Sequence, residues 1–161
     1  MTLGGNLSAR YTLSKWLSVG GNISYMDVRD NMKIAIGTTS MPNLGYGDRM
    51  PNIPYLFADS DVTFTWRDAI WRGNTLSLRY DNQYLHNFYY YSSRIGTNKD
   101  NYMVPTQLSH NISLSYSIAH GKYNISVECR NFINEALYDD FSLQKAGRAF
   151  YAKIRIAFGG R

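Results

Sequence analysis

Hydrophobic and polar residues alternate one by one along most of this chain, which is the pattern of β-strands with two unlike faces. The clearest run is residues 148–158, where every second position is apolar: Phe150, Ala152, Ile154, Ile156 and Phe158. Lys153 and Arg155 lie between them, so the opposite face is charged. The pattern therefore predicts a final strand with one apolar and one charged face.

The same alternation predicts about seven strands in all. They cover roughly residues 3–12, 17–25, 55–66, 76–84, 108–118, 123–130 and 148–158. The connections alternate between short ones, at 13–15, 68–73 and 120–122, and long ones, at 29–53, 89–105 and 133–147. Short turns at one end and long loops at the other are typical of outer-membrane barrels. We therefore predict an all-β fold, an antiparallel meander of about seven strands that forms part of a transmembrane β-barrel.

The clear mid-strand charges of the third, fourth, sixth and seventh predicted strands share the polar face. They are Asp59, Asp61, Arg79, Asp81, Glu128, Arg130, Lys153 and Arg155. In a barrel this face lines the lumen. The expected ion pairs join Arg79 to Asp59, Asp61 and Asp81, and join Glu128 to Arg130, Lys153 and Arg155. A structural role for these pairs is favoured over direct contact with a ligand.

Aromatic residues are abundant, with 14 Tyr, 7 Phe and 3 Trp, and they collect at the predicted strand ends. Those near the short turns or the last strand's end are Trp16, Trp66, Trp71 and Phe158. Tyr25, Tyr55 and Phe88 are near the long loops. This distribution predicts two aromatic belts at membrane interfaces.

Composition limits the classes of protein and the kinds of site that this chain can form. A length of 161 residues suits one domain, and no run reaches the roughly 20 apolar residues of a membrane-spanning helix. The single cysteine, Cys129, excludes an internal disulfide and a cysteine-built zinc site. The net charge is +5, and the basic residues are interleaved with acidic ones instead of forming a basic stripe. Nucleic acid is therefore not an expected partner.

Candidate chemistry is sparse. His86, His110 and His120 lack the ligand spacing of a metal site. Ser109 and His110 are adjacent in a strand, so their side chains point to opposite faces and cannot act as nucleophile and base. We therefore expect no enzyme activity, no catalytic residues, no metal and no cofactor.

The region 131–161 carries a family resemblance. Asn131-Phe132-Ile133-Asn134-Glu135-Ala136-Leu137-Tyr138, followed by Lys145-Ala146-Gly147-Arg148 and the final strand, resembles the C-terminal end of TonB-dependent outer-membrane receptors. There an Asn-Leu-Phe-Asp-x-x-Tyr segment, a loop and Pro-Gly-Arg precede a last barrel strand that ends in an aromatic residue. Here Asn134 replaces the usual Asp, Ala146 replaces the Pro, and residues 159–161 follow Phe158.

The resemblance implies an active transporter of the bacterial outer membrane, which imports a scarce nutrient such as a metal chelate, cobalamin or a glycan with energy supplied through TonB. Residues 1–161 would be the C-terminal portion of its barrel domain, without the plug domain. The implied partners are outer-membrane lipid, the rest of the barrel and the plug, TonB through the missing N-terminal part, and the barrel-assembly machinery. The short turns would be periplasmic and the long loops extracellular.

The resemblance also implies that the last strand is the signal for barrel assembly, carried by Tyr151, Ile154, Ile156 and Phe158. The chain starts in a strand-like pattern without a secretory signal, so we expect it to be the end of a longer one.

Two other functions fit the residues. One is a small complete outer-membrane barrel, which requires an eighth strand within 29–53. The other is a soluble all-β binding module. An outer-membrane enzyme ranks behind both.

Overall fold

The computed structural model describes residues 1–90, 102–140 and 143–158. In chain order its strands are β1 (Thr2–Thr12), β2 (Leu17–Val28), β3 (Leu56–Arg67), β4 (Thr75–Leu85), β5 (Phe88–Tyr89), β6 (Met103–Val104), β7 (Gln107–Ile118), β8 (Tyr123–Arg130), β9 (Tyr138–Asp140), β10 (Leu143–Gln144) and β11 (Ala149–Ile156). The described residues contain no helix long and apolar enough to cross a membrane.

The seven longer strands form one sheet in the order β1-β2-β3-β4-β7-β8-β11. Every neighbouring pair is antiparallel. Each strand therefore pairs with the next long strand along the chain, which confirms the predicted all-β meander. Strands β5–β6 and β9–β10 form separate two-stranded hairpins in two of the long connections.

The register of the sheet places apolar residues of neighbouring strands on one face and polar residues on the other. Directly opposed residues of antiparallel strands share a face. One row of successive partners crosses all seven strands: Tyr11, Val19, Val62, Tyr80, Ile112, Cys129 and Phe150. The face that carries this row is the apolar face, and the face that carries Asp61, Asp81 and Glu128 is the polar face. The alternation within each strand thus adds up to two continuous surfaces.

The apolar face has no covering layer among the described residues. The only buried hydrophobic side chains in the described part of the chain are Phe88 and Val104, and these pair with each other in the small hairpin of β5 and β6. On the sheet itself Leu114 is 40% exposed and Ile154 is 72% exposed. The sheet is therefore a single layer whose apolar side is exposed in the described structure.

The sheet is open, because β1 and β11 lie at its opposite edges. The segment 29–53 contains no strand. It is organised instead by two isolated bridges, Arg29 with Arg49 and Ile34 with Pro42. The eighth strand required for a small complete barrel is absent from this segment.

Short and long connections alternate as predicted. The three short ones, at 13–16, 68–74 and 119–122, lie at one end of the sheet, which we call the short-turn end. The long ones, at 29–55, 86–106 and 131–148, lie at the other, the long-loop end. Residues 91–101 and 141–142 of the long connections are outside the described ranges.

Candidate functional site

A network of charged and amide side chains crosses the polar face. Asp61 is its centre, with a side chain only 7% exposed. Its Oδ1 and Oδ2 accept hydrogen bonds from the Arg10 guanidinium at 2.6 and 3.2 Å, and Arg79 lies 3.5 Å away on the other side. A largely buried carboxylate is stable only when it is paired in this way.

The network continues toward the last strand. Arg79 also lies 3.5 Å from Asp81, and Asn111 donates a 2.8 Å hydrogen bond to the same carboxylate. We call the connected set Arg10, Asp61, Arg79, Asp81 and Asn111 the polar ladder. It links β1, β3, β4 and β7 on the face that the sequence predicts to line a lumen.

A second charged cluster lies on β8 and β11. Arg130 Nε donates to Glu128 at 2.7 Å, and the Arg130 guanidinium lies 4.8 Å from the ring centroid of Tyr151. The predicted pairing of Glu128 with Arg130 is therefore present. Lys153 and Arg155 face Ser126 and Asn124 across the strand pair and form no ion pair within the described ranges. Their predicted pairing with Glu128 is wrong, because both lie further toward the short-turn end.

Asp59 is a second departure from the prediction. It accepts a 3.0 Å hydrogen bond from Asn22 and forms no ion pair with Arg79 in the described structure. Arg79 is opposite Thr63, two residues closer to Asp61 than to Asp59, so the nearer carboxylate takes the guanidinium. Arg10 was not predicted to join the network. Its place on the polar parity of β1 was the available signal, but a contact with a strand two positions away in the sheet depends on the assembled register.

A pocket of about 380 Å³ lies at the long-loop end of the polar face. It is lined by sheet and loop residues: Asn52, Pro54, Phe57, Ala58, Asp59, Gln83, Tyr84, Leu85, Phe88, Gln107, Ser109, Leu137, Tyr138 and Lys145. Gln107 closes one side, because its side-chain amide donates to the Tyr138 carbonyl at 3.0 Å and accepts from the Tyr138 N–H at 2.6 Å. The third long connection is thereby held against the sheet.

The polar groups of this pocket are suited to binding. Asp59 is committed to Asn22 through one oxygen, while Gln83 and Ser109 form no side-chain hydrogen bond with any described residue. Their amide and hydroxyl groups can therefore donate to and accept from a ligand. Phe57 and Phe88 supply apolar walls. This combination of apolar walls with a few polar groups is typical of small-molecule sites.

Two of the three histidines contact tyrosine hydroxyls, and the third lies in a turn. The Tyr80 hydroxyl is 2.6 Å from Nδ1 of His110 on the apolar face, whereas Ser109 lies on the polar face in the pocket. Tyr84 contacts His86 in the same way at 2.7 Å. His120 lies in a short turn, where its N–H donates to the Gly73 carbonyl at 3.0 Å. The three rings are thus spread over both ends of the sheet, and the described residues contain no cluster of three or more metal-ligating side chains.

Aromatic residues gather at both strand ends. Trp16, Phe64 and Trp66 stack in sequence at the short-turn end, with centroids 6.0 Å apart at each step. At the long-loop end Tyr55 contacts Tyr25 edge-on at 6.3 Å.

The first long connection is anchored to this aromatic group at the long-loop end. The Arg49 guanidinium lies 3.9 Å from the Tyr55 ring centroid and donates to Asp27 at 2.8 Å. Partial burial alone would lower the pKa of Arg49, but the hydrogen bonds to Asp27 and Tyr25 and the electrostatic attraction of these two groups together outweigh it, and the pKa is raised. The charge of Arg49 is therefore retained at all physiological pH values.

The two halves of the C-terminal motif contact each other. Asn134 Oδ1 accepts a 2.9 Å hydrogen bond from the Arg148 N–H. Asn131, which is 3% exposed, exchanges two hydrogen bonds with the Glu135 backbone, at 2.8 and 2.9 Å. The motif thus closes the base of the third long connection.

The predicted assembly residues divide between the two faces. Ile154 and Ile156 are opposite Ile125 and Tyr123 on the apolar face, and Phe158 is 88% exposed beyond the strand. Tyr151 is opposite Glu128 on the polar face, so it does not share the outward surface of the two isoleucines.

Comparisons with known proteins give no family for this chain. No protein-family model matches it, and no curated protein matches it either.

Proposed function

We propose that this chain is a wall segment of a bacterial outer-membrane β-barrel that acts as an active transporter, and that it forms the C-terminal portion of the barrel domain of a TonB-dependent receptor. The cargo is a scarce nutrient such as a metal chelate, cobalamin or a glycan. The observation that carries the proposal is the single-layer sheet with an exposed apolar face on one side and the polar ladder on the other.

The physical reason lies in the cost of that apolar face in water. Soluble proteins rarely expose a contiguous apolar patch of more than a few hundred Å², yet here apolar residues from all seven strands form one surface. Removing apolar area from water stabilises a protein by about 25 cal/mol per Å². Lipid can cover the whole face at once, and no described residue does so.

The opposite face supports a transport path. The charges of the polar ladder pair with one another across the strands, so the face can line a hydrated lumen without leaving the buried Asp61 unpaired. The pocket at the long-loop end opens on the same face. A ligand captured by the long connections would meet Gln83 and Ser109 there before it passed along the wall.

The remaining partners belong to the same proposal. The rest of the barrel would pair with the open edges β1 and β11, the plug would fill the lumen, and TonB would act through the plug-bearing part of the receptor. The barrel-assembly machinery would recognise the last strand through Ile154, Ile156 and Phe158.

The membrane location is tested with spin labels at two adjacent residues. Leu114→Cys and Ser115→Cys, each in a Cys129→Ala background, place a label on the apolar and the polar face of the same strand. In vesicles containing the refolded protein, the label at 114 should meet oxygen dissolved in lipid but not a water-soluble nickel chelate, and the label at 115 should show the reverse. A label at 114 shielded from both would indicate a packed protein core and support a soluble binding module instead.

The transport role is tested in cells that depend on the intact receptor. Ser109→Trp would fill the pocket, and Ser115→Trp, on the same face six residues nearer the short turns, is the matched control. We expect Ser109→Trp alone to prevent growth on one limiting source among iron chelates, cobalamin and glycans, at unchanged receptor abundance. Equal growth of both variants on every source would contradict a ligand path through this pocket.

A further inference from the structure

A second groove lies at the short-turn end, on the apolar side of the sheet. It is shallow, with a volume of about 620 Å³. Its lining residues are Lys15, Trp16, Phe64, Thr65, Trp66 and Arg67. Three aromatic rings and two cations therefore border one open surface.

The aromatic rings form a flat apolar wall. Trp16 and Phe64 are nearly parallel, with 13° between their planes, and Phe64 and Trp66 have the same angle. The backbone holds Trp16 in place, because the Thr65 N–H donates to its carbonyl at 2.8 Å. Both tryptophans remain exposed, Trp16 at 50% and Trp66 at 41%. An acyl chain can lie along such a wall without any rearrangement of the sheet.

The two cations have no partner in the described protein. Lys15 and Arg67 are exposed and form no ion pair or hydrogen bond through their side chains with any described residue. Asp68, the nearest acid in sequence, directs its carboxylate to the Gly73 N–H at 2.7 Å. Elsewhere on this sheet arginines such as Arg10 and Arg79 are paired with carboxylates, so two unpaired cations beside one apolar groove leave positive charge available for an anion.

We infer that this groove binds an anionic phospholipid, with acyl chains against Trp16, Phe64 and Trp66 and the phosphate near Lys15 and Arg67. The inference rests on the proposed membrane location. Arginine and lysine recognise phosphate by charge and hydrogen bonds, and tryptophan prefers the depth at which headgroups meet acyl chains. The site would give the short-turn end a preferred lipid and fix its depth in the membrane.

The test uses tryptophan fluorescence in the full-length receptor, refolded into vesicles of phosphatidylglycerol and phosphatidylcholine in equal amounts. A Trp71→Phe background removes the tryptophan of the neighbouring turn. Bromine atoms, which quench tryptophan on contact, are carried by the acyl chains of either one lipid or the other. The vesicles have the same charge in both cases, so the part of the quenching that is lost in a Trp16→Phe, Trp66→Phe variant reports which lipid occupies the groove.

We expect brominated phosphatidylglycerol to quench more strongly, with a local enrichment of about fivefold for each cation. The double variant Lys15→Gln with Arg67→Gln should abolish the preference. Lys122→Gln with Arg155→Gln is the matched control, since it removes the same charge at the same end of the sheet but outside the groove, and it should retain the preference.

The experiment distinguishes failure of the lipid site from failure of the proposed membrane location. Equal quenching by the two lipids in the parent protein would overturn the lipid site while leaving the membrane location intact. Equal loss of preference in both double variants would show a general surface charge effect and would also overturn the site. Absence of quenching by either lipid would place the groove outside the membrane and contradict the proposed function itself.

Discussion

Arg10 and Asp61 form an ion pair across an intervening strand, although β1 and β3 are not neighbours in the sheet. Gly20 of β2 lies between them, opposite Arg10 on one side and Asp61 on the other. A Cβ atom at residue 20 would lie 2.8 Å from Arg10 Nη2 and 2.9 Å from Asp61 Oδ1. The missing side chain of Gly20 therefore provides the space in which the two charges meet.

Gly20→Ala should separate this pair. The Arg10 side chain is 57% exposed, so solvent screens the interaction and we expect a loss of about 1 kcal/mol of unfolding free energy. Urea unfolding of the refolded protein measures it. In an Arg10→Gln background the cost of Gly20→Ala should shrink, because the contact is already lost.

The matched control is Gly5→Ala. An added Cβ at residue 5 would have no neighbouring atom of the described structure within 4 Å. This change should therefore be neutral or slightly stabilising. If Gly20→Ala costs the same in the presence and absence of Arg10, the glycine serves another purpose.

Asn74→Ala should destabilise the short-turn end. Asn74 is 5% exposed; it donates to the Tyr116 hydroxyl at 2.8 Å and accepts from the Ala119 N–H at 3.1 Å, and so joins two neighbouring turns. Loss of both bonds should cost about 1 to 3 kcal/mol. Tyr116→Phe removes one of them together with the 3.2 Å hydrogen bond from the Tyr116 hydroxyl to the Ala69 carbonyl, and should cost about 1 to 2 kcal/mol. Tyr123→Phe is the control, because the Tyr123 hydroxyl bonds to no described residue. Equal stability of Asn74→Ala and Tyr123→Phe would refute the link.

Asn134→Asp should be tolerated and Asn134→Ala should not. The side-chain oxygen at residue 134 accepts the hydrogen bond from the Arg148 N–H, and either Asn or Asp supplies it. The residue also has a φ of 61°, which Asn and Asp adopt more readily than Ala. We expect Asn134→Ala to cost about 1 to 2 kcal/mol and to speed protease cleavage in 133–147.

Gly147→Ala provides an independent check of the same contact. An added Cβ would lie 2.6 Å from Asn134 Oδ1, so this variant should mimic Asn134→Ala, and combining the two should add little. Full additivity would mean that the halves of the motif act separately.

Acid should loosen the first long connection. Hydrogen bonds from the Met32 N–H and the Asn43 amide lower the pKa of Asp30 below its ordinary value of 3.8. A lowered pKa in the folded state contributes stability above the unfolded pKa, and this contribution is lost as the pH falls through the folded value. Hydrogen exchange in 29–53, corrected for the intrinsic effect of pH, should therefore accelerate below about pH 4. Asp30→Asn should weaken that dependence, and the remaining part belongs to Asp27, whose pKa is lowered by hydrogen bonds from Arg29 and Arg49. An unchanged pH profile in Asp30→Asn would assign the whole effect to another group.

Much of the fold follows from local alternation. The two-residue period from Leu108 to Ile118 identifies a strand and its apolar side without any knowledge of its neighbours, because adjacent strand residues must point to opposite faces. Turn length then separates close antiparallel partners from strands joined by long loops. The seven-strand meander was predictable on these grounds.

The contacts of the candidate site were less predictable. Parity places Arg10, Asp59 and Asp61 on one face, but which carboxylate takes the guanidinium depends on a register summed over three strands and on the space above Gly20. The pocket depends further on how the connections fold back, since Gln107 and Tyr138 are 31 residues apart when they exchange hydrogen bonds.

The sequence by itself determined the seven long strands, their two faces and the positions of the turns between them, because alternation and turn residues are local properties of the chain; it did not indicate the short strands β5, β6, β9 and β10 within the long connections. Only the tertiary structure decided that Asp61 and not Asp59 anchors the polar ladder, that Tyr151 joins Arg130 on the polar face, and that Asn134 meets Arg148. These contacts depend on the register of the strands and on how the loops fold back against the sheet. A shift of one or two residues in either would exchange one partner for another.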